Sequence, residues 1–183
     1  MSEVAKTPAE EKLELIARLK SSERRLMGAI DAVTPALHQQ SCGEGRWTIL
    51  QNVEHVVNAE EGMLKLWQKM AQPGVGEHAS DERVLSAAAD RSHPRVAPER
   101  VVPQGRIKTM AEARERFRSS RAATIAALEQ IPEAELRAKV VPHPLVESAD
   151  GVQLFIIMAL HAERHAEQIK ETAGKLAVDG GIG

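Results

Sequence analysis

Four tetrapeptides that read as helix starts, each opening a long amphipathic segment, constrain this chain more than any other feature. Thr7-Pro8-Ala9-Glu10 combines a capping Thr, Pro at the first helical position and Glu three residues after the cap. Thr48-Ile49-Leu50-Gln51 and Thr109-Met110-Ala111-Glu112 repeat the capping-box pattern, and Asp150-Gly151-Val152-Gln153 is a looser version with Asp as the cap. Apolar residues then recur at helical spacing. Leu13, Ile16, Leu19, Leu26, Ile30 and Val33 line the first segment, and Leu50, Val53, Val57, Leu64 and Trp67 the second. Met110, Ala113, Phe117, Thr124 and Leu128 line the third, and Leu154, Ile157, Met158, Ile169 and Leu176 the fourth. The expected helices span 8–33, 48–71, 110–130 and 151–176, each about 30–40 Å long. Four helices of similar length pack most simply as a four-helix bundle, so the expected class is all-α.

The connections bear on topology. Residues 34–47 and 131–149 read as moderate loops, whereas 72–108 is far longer, with a short helix expected near Ser80–Ala89. Plain loops of that length inside a domain are uncommon. A crossover explains it: if the second and third long helices run parallel, the chain must travel back the length of the bundle. Up-down-down-up is therefore expected, in a single domain over 1–183 with a frayed tail after Leu176.

Charge and composition exclude several functions. Lys plus Arg is 24 against 26 Asp plus Glu, too balanced for a nucleic-acid binder or an anionic membrane surface. Two Trp, two Phe and no Tyr supply few stacking platforms for bases and disfavour an all-β fold. One cysteine, Cys42, permits neither an internal disulfide nor a Cys-rich zinc site and is read as a bystander. Met1–Lys12 lacks the apolar stretch of a signal peptide, and the longest apolar run, 154–160, cannot span a bilayer. A cytoplasmic protein acting on a small molecule is expected.

The chemistry-bearing residues are the histidines. His38, His78, His93 and His143 lie in expected loops, where surface roles are the default. His161 and His165 differ: at i and i+4 they share one face of the fourth helix, which continues Leu154 and Met158 and runs on to Gln168 and Ile169. Two inward imidazoles are costly unless they are hydrogen-bonded or bind something, and this spacing can chelate a divalent metal. A zinc-protease reading fails, because its general base must follow the first His directly; here Glu163 comes two residues later and points away. His55 is the candidate third ligand. It lies about 10 Å from the start of its helix and His165 about 15–17 Å from the end of the other, levels that agree for antiparallel neighbours to within a few ångström and that a parallel pairing fits nearly as well. Buried, hydrogen-bonded histidines without metal and a bis-His haem site remain alternatives. A di-iron site does not, for want of inward Glu-x-x-His motifs.

Gln168, one turn beyond His165, is a candidate to orient a ligand from behind. Arg164 and Glu163 are expected in solvated or interhelix ion pairs, and Glu54 and Glu61 as surface charges. Arg95, Arg100 and Arg106 make the crossover locally basic, more simply as a solvated loop than as an anion site.

These residues also carry a resemblance. Trp47-Thr48 opening a helix, His55 seven residues after Thr48, the crossover stretch Ala97-Pro98-Glu99-Arg100-Val101-Val102-Pro103-Gln104-Gly105, His143-Pro144, and His161-Ala-Glu-Arg-His165-Ala-Glu-Gln168-Ile169 together resemble the DinB/YfiT-like family of metalloenzymes over nearly the whole chain. The resemblance implies an up-down-down-up bundle and a divalent metal (zinc, nickel or iron) on His55, His161 and His165. It also implies, for part of the family, transferase or isomerase activity with a low-molecular-weight thiol such as bacillithiol or mycothiol, and a homodimer. The expected function is a metal-dependent enzyme, a small-thiol-dependent S-transferase or a hydrolase. The alternatives are a non-catalytic metal- or ligand-binding bundle and a metal-free dimerisation scaffold.

Overall fold

A computed structural model describes residues 6–74, 78–90 and 96–179. Four long helices, α1 (Pro8–Asp31), α2 (Ile49–Met70), α4 (Met110–Gln130) and α6 (Gly151–Asp179), form the bundle. They start where the caps place them. Thr7 and Thr48 close reciprocal capping boxes with Glu10 and Gln51. Asp150 does the same with Gln153: its carboxylate accepts from the Gln153 amide at 2.8 Å, and the Gln153 side chain accepts from the Asp150 amide at 3.3 Å. Thr109 accepts from the Glu112 amide, but the Glu112 carboxylate takes the N–H of Lys108 rather than that of the cap.

Side-chain contacts fix the direction of each helix. Lys12, at the start of α1, donates to the carbonyls of Glu129 and Ile131 at the end of α4, while Arg114 pairs with Asp31, so α1 and α4 are antiparallel. Glu54 meets residues 104–106, just before α4, and Glu61 meets Arg116 and Ser120, so α2 and α4 are parallel. Asn52 reaches His165 and Trp67 lies against Phe155, so α2 and α6 are antiparallel. The bundle is up-down-down-up, and 72–108 is the crossover that this topology demands.

The core is continuous along the bundle. Leu26, Ile30, Val53, Val57, Phe117 and Ile169 pack towards one end, and Leu15, Leu19, Leu128, Phe155 and Met158 towards the other. One expected stripe residue is misplaced: Leu13 is 67 % exposed, because the buried stripe runs through Leu15, Leu19, Ser22 and Leu26, and Leu13, two residues before Leu15, falls on the opposite side of the helix. Arg121 is fully buried in the core, fork to fork with Glu60.

Two connections carry more structure than expected. The crossover holds α3 (Asp81–Ala89), capped by Ser80, and a short 3-10 turn at Glu99–Val101. Residues 131–149, read as a loop, form α5 (Glu133–Ala138) and a hairpin of β2 (Lys139–His143) and β3 (Glu147–Asp150). Strand β1 (Gln72–Pro73) pairs antiparallel with β2 in a sheet of order β1-β2-β3. The prolines suggested a loop here, but Pro142 projects outward while its neighbours Val141 and Ala149 are buried against the helices. Tertiary burial overrides local propensity. Arg137 of α5 pins this region, bridging Asp81, Asp150 and Glu11.

Glu54 and Glu61 are not surface charges. Glu61 forms a two-pronged pair with Arg116, which holds its carboxyl below the usual range against the cost of burial. Glu54 is 1 % exposed and accepts the backbone N–H groups of Gln104, Gly105 and Arg106 at 3.3, 3.1 and 2.9 Å. Gly105 has φ +66°, a backbone conformation that favours glycine and turns the chain around the carboxylate. Glu54→Ala is expected to destabilise the fold by about 2–3 kcal/mol in urea melts, since it leaves three amides without their acceptor. Among the described residues no helix is long and apolar enough to cross a membrane.

Candidate metal centre

Asn52 and His55 sit three residues apart on α2 and therefore share a face. His161 and His165 share a face of α6. The antiparallel packing of α2 on α6 brings these faces together. The three imidazoles form a triangle with ring centroids 4.5, 4.8 and 5.0 Å apart. One nitrogen from each ring lies within 4.8 Å of the other two. His55 and His165 are buried and His161 is half-buried, so the cluster opens towards solvent at His161.

Two of the rings are held from behind. His55 Nδ1 lies 2.9 Å from the Val101 carbonyl oxygen, which can only accept. That nitrogen carries the proton, and His55 Nε2 presents a lone pair to the centre. His165 Nδ1 lies 2.5 Å from Asn52 Oδ1, with the same consequence. An imidazole oriented through its outer N–H is the usual arrangement of a metal-ligating histidine. The inner atoms fit as well. His55 Nε2 and His161 Nε2 are 3.2 Å apart. Two nitrogens each about 2.0–2.1 Å from one tetrahedral ion would be separated by about 3.3–3.4 Å.

Burial holds the His55 and His161 rings neutral. Burial lowers the pKa of His55, and the bond to Val101 offsets this only in part. Burial, followed by the charges of His55 and Arg164, pushes His161 down to about 3. Neutral imidazole is the ligating form. Trp47 forms one wall, its ring centroid 4.8 Å from that of His55.

The other expected residues divide. Gln168 is half-buried one turn beyond His165, whose Nδ1 is held by Asn52. Glu163 pairs with Arg25 across helices at 3.6 Å, and Arg164 donates to the Asp90 carbonyl. Cys42 is partly buried against the core. Arg100 and Arg106 are exposed on the crossover; Arg95 and His93 lie outside the described residues. His78 is not an isolated surface residue, since its ring meets Gln153 and lies 3.8 Å from Asp150. His38 and His143 are half-buried, and burial lowers both pKa values, that of His143 to about 4. Asn52 and Glu54 were missed. Their signal was present: polar residues on both sides of Val53, inside an apolar stripe.

Residues 18–169 match the family model described as the DinB superfamily. The chain belongs to the DinB superfamily. Solved structures resemble it in fold. One is TT2238, a four-helix bundle protein, with a TM-score of 0.60 and 17% identity, covering 87% of this chain and 98% of that one. Another is YfiT from Bacillus subtilis, described as a probable metal-dependent hydrolase with an unusual four-helix bundle topology. Its TM-score is 0.60 at 15% identity, covering 97% of this chain and 92% of YfiT. Against curated proteins this DinB-superfamily chain has no match.

Two outcomes follow for this DinB-superfamily site. Asn52→Ala is expected to weaken divalent-metal binding about 10–100-fold in a competition titration, because His165 loses the partner that orients it. The second concerns pH. His161 and His143 have pKa values lowered to about 3 and about 4, against about 6.5 in an unfolded chain. Between those limits the unfolded state binds more protons, so their contribution is present above about pH 6.5 and lost as the pH falls. Both are partly exposed, so the expected loss for the metal-free protein between pH 7 and pH 5 is about 2–3 kcal/mol in total, or roughly 5–10 °C in Tm. Carboxylates with lowered pKa values, such as Asp81 and Glu61, lose their contribution only below about pH 4.5, outside this interval.

Proposed function

We propose that this protein is a metal-dependent enzyme in which His55, His161 and His165 hold one divalent ion, with zinc, nickel and iron(II) all suited to three imidazoles. The observation that carries this reading is the convergence of three imidazoles with two outer nitrogens tied to Val101 and Asn52. Three ligands leave coordination positions open, as in catalytic rather than structural sites. Such an ion lowers the pKa of a bound water or thiol and so supplies a nucleophile near neutral pH.

The protein's residues provide the setting. Val101 and Asn52 fix the ligating nitrogens of His55 and His165. Trp47 covers one side of His55, and His161 is the least buried of the three ligands.

Within this reading we favour a small thiol over water as the nucleophile. A metal-bound water can ionise near neutral pH unaided, but hydrolysis in the metallopeptidase manner adds a carboxylate general base beside it. Among the described residues the cluster contains three histidines and no carboxylate. Glu54 is occupied by three amides and Glu163 by Arg25. A coordinated thiol loses its proton without a protein base. The reaction class is then attack of the thiolate sulfur on an electrophilic carbon: a C–S bond forms, the bond from that carbon to its leaving group breaks, the leaving group takes the electron pair, and the thiol proton passes to solvent. The test is to incubate metal-loaded protein with a panel of low-molecular-weight thiols and electrophiles and follow thiol consumption. Turnover absent in His161→Ala supports the reading, and transfer that survives in that variant overturns it.

A further inference from the structure

His143 is a half-buried titratable residue that the proposed chemistry leaves unused. Two observations place it on the inward face of a hairpin that runs towards the metal centre. Along β2, Val141 is buried against Trp67 of α2 and Leu154 of α6, and His143, two residues on, shares that inward face. Past the turn, Val146 packs on Ile157, one helical turn before His161, so the hairpin advances along α6 towards the cluster. Exposed Arg100 adjoins Val101, whose carbonyl holds His55 from behind.

Its tautomer is set. The Leu145 amide donates to His143 Nδ1 at 3.2 Å, so that nitrogen carries the lone pair and the proton of the neutral ring sits on Nε2. The half-buried edge of His143 therefore offers a donor where the three ligating histidines present acceptors.

We infer that His143 is the fourth histidine of this centre, a hydrogen-bond donor through Nε2–H to the anionic or carbonyl oxygen end of a group bound at the open position beside His161. This rests on the metal reading of the cluster. His143 is a positioning residue, with Arg100 adding positive charge at the rim. The ligand class is a small molecule with an acceptor atom within reach of the metal-bound atom.

The test uses full-length protein loaded with cobalt(II), with azide as the probe of the open position and visible absorption as the readout. His143→Asn keeps an acceptor at the Nδ1 position for the Leu145 amide but cannot reach as far as Nε2. His143→Gln places an amide donor near the Nε2 position. Azide binding is expected to weaken about tenfold in the Asn variant and to stay within about twofold of wild type in the Gln variant. Cobalt affinity and Tm should be unchanged in both. An Asn variant that holds cobalt and binds azide like wild type overturns the inference alone. One that unfolds, or sheds cobalt together with azide, makes His143 a structural prop and overturns it too. Wild-type protein that takes up no cobalt overturns the metal reading and this inference together.

Discussion

Protein purified without chelators or a metal-affinity column is expected to carry about one divalent ion per chain, and His55→Ala with His161→Ala is expected to carry none. The loss should exceed the roughly 10–100-fold expected for removing an outer hydrogen bond, because two of three ligands disappear. Metal analysis checks the stoichiometry. Titration of metal-stripped protein with nickel(II) checks the site, since Trp47 lies against His55 and its emission should be quenched as the site fills. Trp67 is buried between α2 and α6 beside Phe155 and should report little. Wild-type protein that stays metal-free after dialysis against zinc, nickel and iron(II) would make the histidines a packing and hydrogen-bonding device. In that case His161 Nε2–H donates to His55 Nε2 at 3.2 Å.

The other large effect lies away from the centre. Arg121 is 0% exposed and Glu60 2%. The guanidinium meets both Glu60 oxygens at 2.8 and 2.9 Å, donates to the Leu19 carbonyl and Ser22 Oγ at 2.7 and 2.6 Å, and lies over the Phe117 ring. Arg121→Met or Glu60→Leu alone strands a buried charge, and each is expected to cost about 3–5 kcal/mol, roughly 10 °C or more in Tm. The double variant should recover most of that loss. Its two apolar side chains suit the core, and the Leu19 carbonyl keeps its bond from Ser22 Oγ. Thermal and urea melts of the three variants decide it. A double variant no more stable than either single one would show that the pair does more than satisfy itself.

What could be read from the sequence was what repeats locally. Thr7, Thr48, Thr109 and Asp150 announce their helices because a cap is a contact within four residues. The i,i+4 spacing of His161 and His165 does the same for one half of the centre. The length of the crossover gave the topology, since parallel neighbours require a long return. The unread features are those in which both partners are polar and distant in sequence. Glu60 and Arg121 look like any two surface charges until α2 and α4 are set side by side. Glu54 finds its amides fifty residues away, beyond any periodicity. The hairpin was obscured by Pro142, whose ring is harmless on the outward face of its strand.

The Glu54 carboxylate and the Val101 carbonyl belong to one physical object. Glu54 grips the crossover at 104–106, and three to five residues earlier Val101 holds the outer nitrogen of His55. Order in the crossover and the readiness of His55 to ligate are therefore thermodynamically linked. A variant that leaves only a fraction of molecules with an ordered crossover should weaken ion binding in proportion to that fraction, and ion binding should in turn protect the crossover from proteolysis. The connection that the topology required only as a return path thereby acts as the latch of the centre.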